Sequence, residues 1–206
     1  KTLACGICGS DLHAAQHAPR MVEMSKRVTG RVAMDLSRDV VFGHEFCCEV
    51  LDYGPDTERR LRPGARAVSM PVMPLGGDVR TTVGYSNEYP GGYAERMVLA
   101  APLLLEVPNG LPAEHAALTE PLAVGIHAVE KAALARDDVP LVVGCGPVGL
   151  AAIVGLRLKG VRPIIAADFS PKRRELAAKM GADIVIDPAE ETPYAKLPVG
   201  RRAVIF

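Results

Sequence analysis

Three features are missing from this 206-residue sequence: tryptophan, a net charge and a long hydrophobic run. Its 24 basic residues are balanced by 24 acidic ones, so we expect neither a nucleic-acid partner nor a membrane partner. No run approaches the ~18 apolar residues that a membrane-spanning helix needs. Hydrophobic residues still make up 49% of the chain, which is ample for a packed core in one or two globular domains.

Cysteine is also scarce, and its number is odd. Five cysteines in a chain of this length argue against a secreted, disulfide-linked framework and favour a reducing compartment. The beginning, KTLACGICG, lacks the apolar stretch of a signal peptide, so we expect a cytoplasmic protein. The first residue is not Met and the last residues, RRAVIF, end in an apolar run, so we expect truncation at both ends.

The first half of the sequence, residues 1–112, is rich in Gly, Pro and short β-branched runs, which favours a mainly β domain. The predicted strands lie in VFGHEFCCEVLDYG, ARAVSMPVM and GYAERMVLA. Residues 17–40 are polar and show no clear periodicity, so we predict a long loop or a small insertion there.

The second half, residues 113–206, alternates between predicted strands and helices. PAEHAALTEPLAVGIHAVEKAAL has helical spacing, whereas PLVVG, RPIIAAD, ADIVID and RAVIF are predicted strands. Ser170, Pro171 and Gly181 mark the start and end of a helix over SPKRRELAAKMG. This alternation predicts an α/β fold with a doubly wound parallel sheet.

A glycine-rich loop, GCGPVG, follows the predicted strand PLVVG and opens a predicted helix. That context turns an otherwise weak G-x-G-x-x-G pattern into a dinucleotide-binding fingerprint. Gly144 would permit the tight turn, Gly146 the approach of a pyrophosphate and Gly149 close helix–strand packing. The predicted phosphate-binding residues are Gly144, Gly146, Pro147, Val148 and Gly149, because a helix N-terminus offers free N–H donors to an anion.

Asp168 ends the second predicted strand of this half, where a carboxylate can accept hydrogen bonds from ribose hydroxyls. Its negative charge would repel a 2′-phosphate, which favours NAD over NADP. The neighbouring Lys172, Arg173 and Arg174 could neutralise such a phosphate and weaken that preference. The alternative interpretation is an ordinary glycine-rich turn, with Asp168 as a loop residue.

The pair Cys5 and Cys8 forms a C-x-x-C motif, but no second C-x-x-C exists to complete a structural zinc knuckle. A redox pair of the thioredoxin type would need a βαβ context, which this β-rich half lacks. A single cysteine ligand remains, and His44 and Glu45 in GHE supply the imidazole and carboxylate typical of a catalytic zinc site.

Five motifs, CGICGSDLH, GHE, GGYAE, EPLAVG and GCGPVG, occur here in the order found in the zinc-dependent medium-chain alcohol and polyol dehydrogenases. The chain therefore resembles that family over essentially its whole length. The resemblance implies a GroES-like, β-rich catalytic domain joined to a Rossmann domain, with zinc and NAD as cofactors. It also implies a homo-oligomer, either a dimer or a tetramer.

The resemblance also implies a set of metal ligands. Cys8 corresponds to the thiolate ligand, His44 to the imidazole ligand, and Glu120 of EPLAVG to an acidic position typical of the polyol enzymes. Glu45 would bind zinc directly or hold its open position. Asp11 resembles the carboxylate that orients the histidine ligand, because ligating imidazoles usually donate their other N–H.

The remaining roles come from the resemblance as well. Ser10 would take the proton from the substrate, and His13 would relay it to solvent. Ser10 could instead cap a helix that starts near Leu12. Arg173 resembles the arginine packed near the adenine in NAD-using polyol enzymes, and Cys5 is then expected to be a small buried residue.

The sequence departs from the family at several places, of which two concern the number of zinc ions and the Rossmann sheet. The segment from Leu75 to Glu95 has no cysteine where many members carry four for a structural zinc, so we expect one catalytic zinc only. The Rossmann sheet would stop at its fourth strand. The implied reaction is reversible oxidation of a small alcohol or polyol. The alternatives are a zinc-free NAD(P)H reductase of the same superfold and a non-catalytic nucleotide-binding protein.

Overall fold

The computed structural model describes residues 1–32 and 34–206. The chain divides into two compact units, Lys1–Glu120 and Pro121–Phe206. This division falls later than the domain boundary predicted after residue 112, which remains a prediction. Among the described residues, no helix combines the length and apolarity needed to cross a bilayer.

The first unit is built around a four-stranded antiparallel sheet. Its strands are β1 (Thr2–Cys5), β2 (Phe46–Glu49), β3 (Arg66–Ser69), β4 (Val72–Gly76), β5 (Val79–Thr82) and β6 (Leu104–Glu106). The sheet has the order β1-β2-β3-β6, and β4 pairs with β5 as a separate two-stranded ribbon. A 3₁₀ turn, Ala101–Leu103, precedes β6.

Strand β2 is buried on both faces, which explains why its first three residues, Phe46, Cys47 and Cys48, are all apolar. Phe46 packs with Met73 and Val83, whereas Cys47, whose side chain points to the opposite face, packs with another group around Val68. Cys48 belongs to a third cluster. Both of these cysteines are buried, and all five cysteines of the chain are free thiols.

Residues 17–40, predicted as a loop or insertion, are helical over their first part, so that prediction is wrong there. Helix α1 (Gly9–Thr29) extends through more than half of that segment, with non-helical backbone angles only at His17. Pro19 lies two residues after His17, in the first turn of the resumed helix, where its missing N–H leaves no hydrogen bond unmade. The helix has only Asp11 and Ala14 buried, so no apolar periodicity marks it.

The second correction concerns GYAERMVLA, predicted as a strand. Residues 91–100 form turns and irregular extended backbone instead. Met97 and Leu99 do pack against the core, which produces the alternating pattern. The backbone, however, forms no ladder with β1: the N–H of Thr2 bonds to the carbonyl of Glu95 at 2.9 Å, and the Thr2 hydroxyl bonds to the carbonyl of Ala94 at 2.7 Å.

Two helices lead towards the second unit. Helix α2 (Ala113–Ala116) belongs to the first unit, and the division between the units falls inside helix α3 (Thr119–Lys131). Both lie in the Ala-rich segment predicted to be helical, so that prediction is confirmed.

The second unit contains the predicted parallel sheet. Its elements are β7 (Val139–Val143), α4 (Pro147–Leu158), β8 (Ile165–Ala167), α5 (Pro171–Met180), β9 (Ile184–Ile186), a 3₁₀ turn (Pro193–Lys196) and β10 (Ala203–Ile205). The strand order is β10-β7-β8-β9, with every pair parallel. The order reverses direction between β7 and β10, and ligands of such sheets bind at the carboxyl ends of the strands beside this switch point.

The side chains of alternate residues in this sheet belong to two hydrophobic clusters, one on each face. Val142, Ala166 and Ile164 pack with helices α4 and α5, whereas Leu141 and Ile165 belong to the opposite cluster. All five side chains are almost completely buried. The predicted limits of α5 are also confirmed, since Ser170 precedes its first residue and Gly181 ends it in the left-handed region with φ +115°.

Candidate functional site

A cluster of three potential metal ligands lies in the first unit. Cys8, His44 and Glu45 offer ligand atoms that all lie within 4.8 Å of one another. Cys8 is the N-cap of α1, and the other two residues directly precede β2. Within residues 1–32 and 34–206, this is the one group of three or more such side chains that close together. Thiolate, imidazole and carboxylate form a donor set that suits Zn²⁺.

Asp11 lies behind the histidine of this cluster. Its Oδ1 is 3.1 Å from Nδ1 of His44, and its Oδ2 accepts the backbone N–H of Cys8 at 3.2 Å. The Asp11 side chain is only 3% exposed, as expected for a group that is fully hydrogen-bonded. Beside a carboxylate that accepts, Nδ1 would be the protonated nitrogen of His44, and the lone pair of Nε2 would be left for a metal.

Two tyrosines complete the surroundings of Asp11, and sequence analysis assigned a role to neither. The hydroxyl of Tyr85 is 2.9 Å from Oδ1 of Asp11, and that of Tyr93 is 3.0 Å from Oδ2. Burial, followed by the hydrogen bond to Asp11 and the charge of its carboxylate, raises the pKa of the Tyr93 phenol, so it stays a neutral donor. The GGYAE motif contains Tyr93, but no sequence signal connects Tyr85 with the metal centre.

Ser10, the residue predicted to take the substrate proton, lies next to the cluster. Its Oγ is 3.5 Å from Nε2 of His44 and 3.0 Å from the hydroxyl of Tyr85. His13 is exposed, and its ring packs against that of His17 with 4.6 Å between centroids. No hydrogen bond between the described residues joins His13 to Ser10, so the relay through His13 remains a prediction.

Glu120 stands in the first turn of α3 and is half-buried. Burial raises the pKa of its carboxyl group; His44 opposes that shift, whereas the carboxylates of Glu45 and Asp11 add to it. His44 and Glu45 belong to the metal cluster and Asp11 lies directly behind it, so Glu120 shares the electrostatic environment of that cluster. It is not a member of the tight three-residue group, and its part as a ligand remains a prediction.

Cys5 is half-buried rather than fully buried, and its sulfur lies against two glycines. Its Sγ would be 2.9 Å from a β-carbon built on Gly43 and 2.6 Å from one on Gly92. A β-carbon on Gly91 would lie 2.3 Å from the carbonyl oxygen of Gly43. The GHE and GGYAE motifs therefore pack backbone to backbone around this thiol. Burial, with the charge of Asp11, raises the pKa of Cys5 to about 11, which disfavours the thiolate that a metal requires.

The glycine-rich loop of the second unit lies between β7 and α4. Gly144 has φ +96°, the left-handed region that its tight turn requires. A β-carbon on Gly149 would lie 1.9 Å from the carbonyl oxygen of Gly144, whereas one on Gly146 would meet nothing within 4 Å. Pro147 is the first residue of the helix, and the N–H groups of Val148 and Gly149 have no partner within it. The loop therefore presents free donors beside open space.

Asp168 lies at the carboxyl end of β8 and is fixed by the backbone. Its Oδ2 accepts the N–H of Cys145 at 2.8 Å, and its Oδ1 accepts that of Ser170 at 2.7 Å. Burial raises the pKa of Asp168, but these two hydrogen bonds and the charges of Arg173 and Arg174 outweigh it, so the pKa is lowered. The group is therefore a carboxylate at neutral pH.

The two arginines after Asp168 differ in what holds them. Arg173 is exposed, with a guanidinium nitrogen 3.7 Å from Oδ2 of Asp168. Arg174 donates to the carbonyl oxygens of Asp168 and Phe169, both at 2.8 Å, and pairs with Asp187 at 2.8 Å. Arg174 is thus committed to the fold, which leaves Arg173 available to a ligand.

A β-rich unit with a zinc-type donor set and a Rossmann-type unit with a glycine-rich loop at the start of a helix together define the class of two-domain, zinc-type dehydrogenases. The chain belongs to the zinc-type medium-chain alcohol dehydrogenase family: the alcohol dehydrogenase GroES-like domain matches residues 1–109, and the zinc-binding dehydrogenase domain matches residues 147–197. The resemblance found in the sequence and the fold class inferred from it are confirmed.

Two curated relatives illustrate this membership. The chain is 34% identical over 203 residues to an erythritol/L-threitol dehydrogenase of Mycolicibacterium smegmatis, an alignment that covers 91% of the chain and 55% of the relative. It is 34% identical over 202 residues to a (R,R)-butanediol dehydrogenase of Bacillus subtilis, with 90% and 54% covered. The chain thus spans about half the length of the curated relatives it matches.

Solved structures give the same result. A 2R,3R-butanediol dehydrogenase from Bacillus subtilis matches with a TM-score of 0.72, 31% identity, and 91% and 55% of the two chains covered. An acetophenone reductase from Geotrichum candidum in complex with NAD has a TM-score of 0.73, 28% identity, and 90% and 54% coverage. A Sinorhizobium meliloti protein bound to NADP has a TM-score of 0.78, 26% identity, and 98% and 57% coverage.

Proposed function

We propose that this protein is part of a zinc-dependent oxidoreductase that transfers a hydride between a small alcohol or polyol and NAD. The observation that carries the proposal is the group formed by Cys8, His44 and Glu45, in which Asp11 fixes the tautomer of the histidine. A thiolate, an imidazole with a free Nε2 and a carboxylate are what a catalytic zinc site needs.

Cys8, His44 and Glu45 would hold the zinc, and Glu120 is the proposed further ligand, directly or through water. Zinc at this position supplies a Lewis acid that polarises the oxygen of the substrate. Ser10, with its hydroxyl 3.5 Å from Nε2 of His44, would receive the substrate proton. His13, exposed one turn further along α1, is the proposed relay to solvent.

The glycine-rich loop is the proposed seat of the nicotinamide cofactor. The N–H groups of Val148 and Gly149 and the open space at Gly146 suit a pyrophosphate, to which the N-terminus of α4 is complementary. Asp168 remains charged and is the proposed acceptor of the ribose hydroxyls, so NAD is the proposed cofactor. Arg173 would lie near the adenine. The cofactor itself supplies the hydride chemistry, and these residues bind and orient it.

The proposed substrates are vicinal diols and small polyols. This choice is supported by the relatives, which are an erythritol/L-threitol dehydrogenase and a (R,R)-butanediol dehydrogenase. A cytoplasmic location and a dimeric or tetrameric assembly complete the proposal.

A screen of secondary alcohols, vicinal diols and polyols with NAD, followed by NADH absorbance, tests the proposal. We expect turnover that is lost after treatment with a strong chelator and restored by zinc. Activity that persists without metal would point to a zinc-free reductase. Binding of NAD without turnover of any substrate, on protein that retains its zinc, would point to a non-catalytic nucleotide-binding protein. In all arms, the variant Cys8→Ala serves as the metal-free reference.

A further inference from the structure

Two tyrosines of the segment that follows the ribbon β4–β5, Tyr85 and Tyr93, place their hydroxyls against Asp11 beside the metal cluster. We propose that Tyr85 and Tyr93 are positioning residues that fix the carboxylate of Asp11 and, through it, the imidazole of His44 for metal binding. The inference rests on the proposed function, because it concerns the affinity of the same zinc site.

The hydrogen bonds of Asp11 carry the argument. Each oxygen of a carboxylate can accept about two hydrogen bonds. Oδ1 lies against Nδ1 of His44 and the hydroxyl of Tyr85, and Oδ2 lies against the N–H of Cys8 and the hydroxyl of Tyr93. All four contacts measure between 2.9 and 3.2 Å. The acceptor capacity of the carboxylate is therefore filled from four directions, and the group has a single orientation.

Without the two phenols, each oxygen would keep one donor only. The remaining partners, His44 and Cys8, are parts of the metal site itself, so they cannot serve as an independent scaffold for it. Asp11 is 3% exposed, so solvent has little access to replace a lost hydroxyl. Each phenol should therefore matter for the position of the carboxylate.

The tyrosines are themselves well anchored. The backbone N–H of Tyr85 bonds to the carbonyl of Thr82 at 3.1 Å, and that of Tyr93 to the carbonyl of Phe42 at 3.1 Å. The ring of Tyr85 packs against the rings of Phe42 and His44, with centroid distances of 5.4 and 5.5 Å. The hydroxyls thus come from residues fixed to the segment that carries the histidine, and replacing Tyr by Phe keeps the ring packing.

The test is a measurement of zinc affinity by competition with a chromophoric chelator, on Tyr85→Phe, Tyr93→Phe and the double variant. Replacing a group that supports a metal ligand typically weakens metal binding about 10- to 100-fold. We expect about tenfold for each single change, more for the double change, and a shifted absorption spectrum of the cobalt-substituted protein. Tyr53→Phe is the matched control, because this phenol also makes two hydrogen bonds, both to Leu61, and should leave zinc affinity unchanged.

A double-mutant cycle decides whether the tyrosines act through Asp11. In an Asp11→Asn background, which removes the charged acceptor, Tyr85→Phe and Tyr93→Phe should cost much less zinc affinity than in the parent. Single variants with the parental zinc affinity and cobalt spectrum would overturn the inference, as would an undiminished loss in the Asp11→Asn background. An equal loss of NAD affinity would also overturn it, because it would indicate a global effect. A parent protein that binds no zinc would instead refute the proposed function.

Discussion

A β-carbon on Gly149 would lie 1.9 Å from the carbonyl oxygen of Gly144. No real β-carbon tolerates that approach, so the first turn of α4 can pack on the end of β7 only with glycine at this position. Gly146, in the same loop, has φ −74° and faces open space, so its lack of a side chain is not required by the fold. One glycine is therefore needed for packing, and the other is free to serve a ligand.

Alanine at these two positions should separate stability from binding. Gly149→Ala should lower the free energy of unfolding by about 1–3 kcal/mol or more, as overpacking does, because the helix must move away from the loop. Gly146→Ala should leave stability close to the parental value but weaken NAD binding, because its methyl group occupies the space proposed for the pyrophosphate. Thermal unfolding and a fluorescence titration with NADH measure the two effects.

Each variant is the control for the other. A Gly146→Ala protein that binds NADH as tightly as the parent would show that the phosphates lie elsewhere. A Gly149→Ala protein of unchanged stability would contradict the packing argument.

The features that sequence analysis predicted correctly are those with local causes. Gly144 and Gly181 adopt left-handed backbone conformations, and Pro171 is the first residue of α5. Glycine and proline favour these backbone conformations, so the residue type alone predicts them. The second part of α1 was missed because its residues are mostly exposed and carry no apolar stripe. Residues 91–100 were mistaken for a strand because alternating burial, which Met97 and Leu99 show, does not by itself imply a ladder of hydrogen bonds.

The metal centre likewise combines local contacts, which the sequence predicts, with long-range contacts, which it does not. Cys8 and Asp11 lie on one turn of a helix, so their closeness follows from the spacing in CGSD. Tyr85 reaches Asp11 only through the tertiary fold, from 74 positions further along the chain. No spacing rule connects two residues so far apart, and a single sequence therefore does not show that contact.

Removing a metal ligand should abolish activity without affecting the nucleotide site. Cys8→Ala and His44→Ala should each lose bound zinc and turnover while NAD affinity stays largely intact, because the glycine-rich loop belongs to the second unit. Cys5→Ala should keep its zinc, since the close group of three donor atoms is formed by Cys8, His44 and Glu45 and does not include Cys5. Elemental analysis and NADH titration of the purified variants give both quantities.

If NAD affinity fell in parallel with turnover in Cys8→Ala, the two sites would have been misassigned. Loss of zinc from Cys5→Ala would instead make Cys5 the ligand.

The protein should bind one zinc per chain. The structure offers one cluster of three donors within residues 1–32 and 34–206, and the segment from Leu75 to Glu95 contains no cysteine for a second site. Structural zinc sites require four ligands, usually thiolates and imidazoles. Metal analysis after dialysis should return a single tightly bound zinc, and a ratio of two would refute this prediction.

The carboxylate of Asp168 should stabilise the second unit in a pH-dependent manner. Its pKa in the folded protein is lower than its ordinary value of 3.8, so the unfolded chain binds the proton more readily. The stabilisation is therefore fully present above pH 3.8 and is lost as the pH falls through the lower folded value. Asp168→Asn should lower the free energy of unfolding by about 1–2 kcal/mol at pH 7, because hydrogen bonds to a charged group are lost. Urea denaturation should show that the free energies of unfolding of parent and variant differ less at pH 3 than at pH 7. An equal difference at both pH values would contradict this prediction.

Asp168 should also determine the preference for NAD over NADP. Both oxygens already accept a backbone N–H, from Cys145 and Ser170, yet each retains one acceptor site for a ribose hydroxyl. A 2′-phosphate at about 4 Å would meet a repulsion on the order of 4 kcal/mol in an effective dielectric of about 20, before screening. The charge of Arg173 and the solvent reduce this repulsion, and we expect a roughly 10- to 100-fold preference for NAD in kcat/KM.

Asp168→Ser should lower kcat/KM for NAD and relatively favour NADP, with Arg173 then free to bind the phosphate. Asp168→Asn, which keeps the size but not the charge, separates repulsion from shape: if the charge is the cause, its cofactor preference should shift as far as that of the Ser variant. A parent that prefers NADP, or variants whose preference does not move, would show that Asp168 does not face the ribose.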